Sequence, residues 1–296
     1  MDRILFVSMG LGMFFDNRGN VEEDYEPFID APELSSISMG YREDLFSLIM
    51  STLELKSLLR ISRKFSPDLV LIDGSLRNLI TRHAPSPLWF GQDTDTSPEE
   101  YLQPILNADP ARRGLIAKEV AGDDMVAFAM ALYGEYLSVL QELFSLDTTI
   151  IGISKTTTSY AVKIIKELNA PDIVLFSYLT RQKGYSTGEY YIVDQDEEYK
   201  WYLPRPFEKL KAIPIYHMYV RLEDDHRVYR TEIIAPTNDL NVEKLVGMLQ
   251  SISAQGYPLP LRIAHSEVRI TGDDLDIIEQ ILIERGARLH RSREGL

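Results

Sequence analysis

Two acids in this chain stand where a carboxylate can do chemistry. Asp73 closes the run Leu69-Val70-Leu71-Ile72 and is followed at once by Gly74-Ser75. Consecutive apolar residues predict a short strand buried on both faces. Asp73 then sits at the carboxyl end of a core strand, where open α/β sheets gather their ligands, and Gly74 lets backbone or ligand come close to it. Glu54 lies between Leu53 and Leu55 in the stretch Arg42 to Lys64, in which Leu45, Leu48, Ile49, Thr52, Leu55 and Leu59 recur at helical spacing. A carboxylate on a core-facing helix beside one at a strand end is one way to build a divalent-cation site, because hard cations take oxygen ligands. Plainer uses stand beside this one: Asp-Gly-Ser after a strand is ordinary turn chemistry, and a lone Glu on a helix is usually solvated.

The 296 residues suffice to bury a sizeable core. Hydrophobic residues at 45% and charged residues at 26% are those of an ordinary globular protein. Cysteine is absent, which excludes disulfides and thiolate zinc or iron-sulfur sites, so any metal is held by carboxylate, imidazole, carbonyl or water. No stretch reaches the ~18 apolar residues of a membrane span, and the first residues lack a secretory apolar region; a cytoplasmic protein without membrane contact is expected. With 45 acids against 31 bases the net charge is −14, which argues against a simple basic nucleic-acid-binding module. It does not exclude a nucleic-acid enzyme, which gathers its basic residues in one groove.

The elements that must position Asp73 and Glu54 follow from the pattern. Ile4 to Phe15 predicts a strand that kinks or bulges at Gly10 and Gly12, and Glu22 to Glu33 a loop or weak edge strand. The Arg42 to Lys64 helix and the Leu69 to Ile72 strand come next, then short helices over Arg77 to His83 and Glu99 to Asn107, with a Pro-rich loop over Ala84 to Pro98 between them. Met125 to Phe144 has one apolar helical face. Thr148 to Ile153 predicts the second core strand, and Tyr160 to Leu168 a helix. Asp172 to Tyr178 fits either a strand or a helix.

From Gly184 the texture is β-rich: Glu189 to Val193, Lys200 to Leu203, and a hairpin of Ile213 to Arg221 and Arg227 to Ile234. Helices are expected over Val242 to Ser253 and from Asp273 or Asp274 to about Arg285. No repeat or linker forces a boundary, so residues 1–296 read as a single α/β domain: a mixed sheet flanked by helices, with a β-rich elaboration at about 184–235.

Taken together, Ser51-Thr52-Leu53-Glu54-Leu55, Leu71-Ile72-Asp73-Gly74-Ser75-Leu76, Ile151-Gly152-Ile153-Ser154-Lys155-Thr156 and Gly256-Tyr257-Pro258-Leu259-Pro260-Leu261-Arg262-Ile263-Ala264-His265 resemble the NurA nuclease family in order and spacing. The resemblance implies an RNase H-like core, manganese- or magnesium-dependent DNA cleavage of the 5'-3' exonuclease and single-strand endonuclease type, and a ring-like homodimer. It also implies work in end resection beside a HerA-type hexameric ATPase. By the same resemblance Glu54, Asp73 and His265 are metal ligands, Tyr257 lines their pocket, and Lys155 is a phosphate contact.

One departure stands out. The family opens with an earlier Asp-Gly-Ser whose aspartate is a central ligand, and no such motif precedes Glu54 here; Ser8-Met9-Gly10 offers a poor ligand for a hard cation. The first strand looks like the family's second, with Asp2 close to where the motif would end. Two readings stay open: a start placed downstream of the motif, or a shortened paralogue with reduced or no cleavage that serves as a DNA-clamping or assembly subunit.

If the site is complete, Asp73 bridges two ions, Glu54 binds one or orients water, and His265 ligates the second or protonates the leaving group. Lys155 and Arg262 then hold neighbouring phosphates. Against these stand ordinary roles: Glu54 pairing with Arg42 or Arg60, Asp73 capping the next helix, His265 as a satisfied core histidine in a strand, and Tyr257 packing its ring. The Tyr216 to Arg230 hairpin has the aromatic and Arg content for single-strand contact but is as well read as a half-buried hairpin. The Arg-rich tail from Arg285 to Arg293 is a candidate dimer or ATPase contact.

Overall fold

The computed structural model describes residues 6–30, 41–81, 101–155, 171–193, 203–237, 240–268 and parts of 272–280. The leucine spacing produces its helix, α1 (Arg42–Phe65), which carries Glu43 and Asp44 in its first turn and Arg63 and Lys64 in its last, each sign favourable to the helix dipole. Ser66 ends it in a left-handed conformation, its N–H donating to the Ser62 carbonyl at 2.8 Å, and Pro67 cannot continue it.

Two strands precede α1, β1 (Phe6–Phe15) and β2 (Val21–Asp30), paired antiparallel in unbroken register from Phe6 opposite Asp30 to Phe15 opposite Val21. The bulge expected at Gly10 and Gly12 is therefore not there. The glycines answer a different need, because α1 crosses β1 backbone to backbone. A Cβ on Gly10 would lie 2.3 Å from the Leu53 carbonyl carbon and 2.5 Å from the Glu54 nitrogen, and one on Gly12 would lie 2.8 Å from Ser57 backbone. The Gly12 N–H donates to Ser57 Oγ at 2.8 Å. Glu22 to Asp30, left between loop and edge strand by its sequence, is held as a strand by this ladder and by Asp24 and Glu26, which pair with Arg60 of α1.

The main sheet holds β3 (Leu69–Asp73), β4 (Thr149–Ser154), β5 (Gly184–Tyr185), β6 (Glu189–Ile192), β7 (Pro214–Arg221) and β8 (Val228–Ile234). Its order is β3-β4-β8-β7-β5, with β6 also on β7. Only β3 and β4 run parallel, Leu71 opposite Ile151; the rest is antiparallel. Short helices α2 (Leu76–Thr81), α3 (Leu102–Leu106) and α4 (Ile116–Ala121) lead into α5 (Met125–Phe144). This last is buried nearly all round, and its first turn is capped by Asp124 accepting from the Val126 and Ala127 N–H groups. Lys56 of α1 and Glu135 of α5 form an ion pair wholly inside this core, and Glu135 also accepts from the Ala117 N–H at 2.9 Å.

Asp172 to Leu179, undecided by pattern, is a helix, α6 (Asp172–Leu179): Asp172 accepts from the Tyr219 hydroxyl at 2.6 Å and Phe176 stacks on the Tyr219 ring. The chain continues through a 3-10 helix (Arg205–Ala212), α7 (Val242–Ser251), a tight hairpin of β9 (Ser253–Ala254) and β10 (Tyr257–Pro258), and α8 (Leu259–Glu267). The sequence pattern did not single out α4 or the 3-10 helix, each too short to show a period. The strand entertained for His265 is instead α8, because Pro258 and Pro260 start a helix and cannot feed a ladder. The Tyr160 to Leu168 helix, the Ala84 to Pro98 loop, Asp2, most of Lys200 to Leu203 and the Arg285 to Arg293 tail lie outside the described residues. No helix among the described residues is long and apolar enough to cross a membrane.

Candidate active site

A cleft of about 1130 Å³ opens between the second half of β1 and the whole of β3, walled by α1 on one side and by α7 and α8 on the other. Leu11 to Phe15 and Leu69 to Asp73 line it as unbroken runs. Successive strand residues point to opposite faces, so what both runs share toward the cleft is a backbone edge. β3 is the end strand of its sheet and β1 pairs only with β2 among the described residues.

Glu54, Asp73, Ser154, Lys155 and His265 all line this cleft. Asp73 ends β3 and is held by the sheet: the Gly74 N–H donates to the Ile153 carbonyl at 3.0 Å, extending the β3–β4 ladder by one bond. Its carboxylate is taken by Lys155, whose Nζ donates to Oδ2 at 2.7 Å. The same ammonium sits 4.5 Å from the centroid of the Tyr257 ring, a cation–π contact that fixes where the lysine head lies. The Tyr257 hydroxyl is buried beside Asp73; burial first, and then the Asp73 charge and its hydrogen bond, push its pKa up.

Glu54 reaches the cleft from the middle of α1, over Gly10. It is exposed on the cleft side, while protein atoms crowd it elsewhere. That burial, and after it the Asp73 charge, raises its carboxyl from 4.5 to about 7. A carboxyl pushed up by the charge of a neighbouring carboxylate marks a place where a cation is favoured, and Lys155 already sits there as a monovalent one. The donor chemistry suits manganese or magnesium, both oxygen-seeking.

His265 stands on the exposed face of α8, on the cleft wall. Among the described residues no three of His, Cys, Asp and Glu come close enough together to hold a metal ion. The fold thus brings Glu54 and Asp73 into electrostatic contact and His265 to the same cleft, without closing the three into one ligand set. Arg262, expected on phosphate, is turned inward: its two Nη atoms donate to Gln255 Oε1 at 2.9 Å and to the Ala254 carbonyl at 2.6 Å, bracing the β9–β10 hairpin that presents Tyr257. Lys155, expected on phosphate as well, is engaged by Asp73.

Sequence reasoning passed over Glu232, a fully buried acid of β8 whose Oε2 accepts from Ser75 Oγ at 2.8 Å and from the Arg77 N–H at 3.0 Å. The signal was Gly152 in Ile151-Gly152-Ile153, since a glycine inside a core strand marks a close approach.

Fold and cleft together define an α/β protein with a mixed, helix-flanked sheet and a pocket at a strand end that Asp73 and Glu54 share. The NurA domain family model matches residues 14–270, and the chain belongs to that family. It is 27% identical over 252 residues to the DNA double-strand break repair nuclease NurA of Saccharolobus solfataricus, an alignment covering 85% of this chain and 67% of the relative. Alignments to four such relatives span 63% to 67% of their lengths. In structure the chain is similar to the NurA nuclease from Sulfolobus solfataricus, with a TM-score of 0.68 and 22% identity over 95% of this chain and 83% of the other. It is also similar to a NurA bound to dAMP and manganese, with a TM-score of 0.53 and 15% identity over 99% of this chain and 89% of the other.

Proposed function

We propose that this chain is a divalent-metal-dependent DNA nuclease, taking manganese or magnesium, whose site is built on Asp73 and Glu54. The carrying observation is the pair of carboxylates facing one cleft, one fixed at a strand end and one raised to about 7 by burial and by its neighbour. Divalent cations bound there would supply an activated water and neutralise charge on the leaving oxygen. Asp73, fixed by the sheet, and Glu54, fixed by α1 against β1, are the residues that would hold them. His265 on the cleft wall completes the set or gives a proton to the leaving oxygen. Lys155, held at Asp73, is the cation that would meet a phosphate in the cleft, while Arg262 keeps the hairpin that presents Tyr257. Tyr257 holds the lysine head in place through its ring.

Membership in the family supports the rest of the reading: an RNase H-like single domain over residues 1–296 with a β-rich part at about 184–235, and exonuclease action from 5' to 3' with endonuclease action on single strands. A homodimer acting in DNA end resection beside a HerA-type hexameric ATPase follows from the same kinship. The relatives' name as DNA double-strand break repair nucleases and the solution of one NurA with dAMP and manganese agree with the nuclease and metal parts of this reading. The deciding experiment is degradation of linear DNA with manganese. Asp73→Ala is expected to abolish it while the melting temperature is held, and undiminished digestion by that variant refutes the assignment.

A second reading, a DNA-clamping or assembly subunit that keeps the fold and does not cut, is favoured by one observation: the described residues gather no three metal-binding side chains at one point. Clean metal-dependent turnover by the wild-type chain disposes of this reading.

A further inference from the structure

The turn that carries Asp73 into the cleft is held from the far side by a residue two strands away. β8 lies next to β4, with Glu232 directly opposite Gly152. Cross-strand partners share a face, so the Glu232 side chain rises beside a residue that has none. That gap is used. A Cβ on Gly152 would fall 2.6 Å from the Gly74 carbonyl oxygen and 2.9 Å from Leu76 Cγ, so the Gly74 to Leu76 turn lies flat on the bare backbone of Gly152. Glu232 reaches across to meet it, its Oε2 accepting from Ser75 Oγ at 2.8 Å and from the Arg77 N–H at 3.0 Å.

The other oxygen, Oε1, pairs with Arg230 Nη2 at 2.9 Å, the two side chains being 1% and 10% exposed. A buried carboxylate needs such a partner to stay charged. Arg230 neutralises Glu232, and Tyr191 adds a hydrogen bond. Burial obliges Oε2 to find donors as well, and the two it finds belong to the turn following Asp73.

We propose that Glu232 is a positioning residue for the Asp73 site: charged and anchored by Arg230, it clamps the Gly74 to Arg77 turn over Gly152 and so fixes the direction in which the Asp73 carboxylate enters the cleft. This rests on the reading of Asp73 as a metal ligand. Partners in the second layer of a metal site typically govern affinity by about 10 to 100-fold, and Glu232 acts through Ser75 and the Arg77 amide rather than by touching the cation.

The test uses the full chain and manganese alone, with hydrogen exchange beside it. In Glu232→Gln the amides of residues 74–77 are expected to exchange about tenfold faster while those of β4 and β8 keep their protection, and manganese affinity at the Asp73-dependent site to fall about tenfold. Glu232→Asp, which keeps the charge, restores part of both. Ser75→Ala removes one donor without stranding Arg230; it loosens the same amides and serves if Glu232→Gln does not fold. Unchanged exchange at residues 74–77 in Ser75→Ala and in any folded Glu232 variant overturns the proposal, as does loosening spread evenly over the sheet. A wild-type chain that binds no manganese refutes the nuclease reading, while the exchange measurement still decides the clamp.

Discussion

At the scale of single residues the site is a balance of two acids and one base. Glu54 is held near a pKa of about 7 by burial and by Asp73. A carboxyl whose folded pKa stands above its unfolded value gives stability that is complete below the unfolded value, here 4.5, and is lost as pH rises through about 7. The metal-free protein should therefore lose melting temperature between about pH 5 and pH 8 more steeply than Glu54→Gln does. Parallel curves for the two proteins would remove Glu54 from the coupled pair. Lys155 is the third member, and its bond to Asp73 makes it a competitor of the divalent cation. Lys155→Met should thus tighten manganese binding in the absence of DNA and weaken binding of DNA. Titration calorimetry that finds manganese bound more weakly by this variant contradicts competition.

At the scale of elements, the cleft depends on how closely α1 lies on β1. Gly10 and Gly12 permit backbone contact, and Glu54 begins at the point of contact. Gly10→Ala should destabilise by about 1 to 3 kcal/mol and weaken manganese binding with it, since the added methyl meets main chain that cannot step aside. Gly247→Ala, on the open side of α7 where an added Cβ meets nothing within 4 Å, is the control and should stabilise by up to about 1 kcal/mol. Equal denaturation midpoints for the two variants would show that the glycines of β1 are not packing glycines. The α1–α5 contact is fixed by Lys56 and Glu135, both fully buried. Lys56→Met alone should cost about 3 to 5 kcal/mol by leaving Glu135 unpaired, and Lys56→Met with Glu135→Leu far less, as read by urea denaturation.

For the whole molecule, the cleft is where two sheets and four helices meet, so an occupant that binds only there should stabilise everything around it. Manganese at about 100 times its Kd is expected to add about 2.7 kcal/mol to unfolding, reversed by EDTA and absent in Asp73→Ala. A melting temperature indifferent to manganese would favour the non-cutting subunit. The elements that build this molecule were legible one by one. The periodic leucines of α1, the apolar run before Asp73 and the long apolar face of α5 each carry their signal in adjacent residues, because helix and strand are decided by neighbours. Asp73 at a strand end and Glu54 on a core helix were visible for that reason. The partners were not. Lys155 reaches Asp73 across 82 positions and Glu232 reaches Ser75 across 157, and Arg262 turned from the cleft to its own hairpin. The first two meetings follow from the order β3-β4-β8, with Gly152 of β4 leaving room between its neighbours, and strand order is a global outcome of burial and loop closure that no local stretch of sequence records.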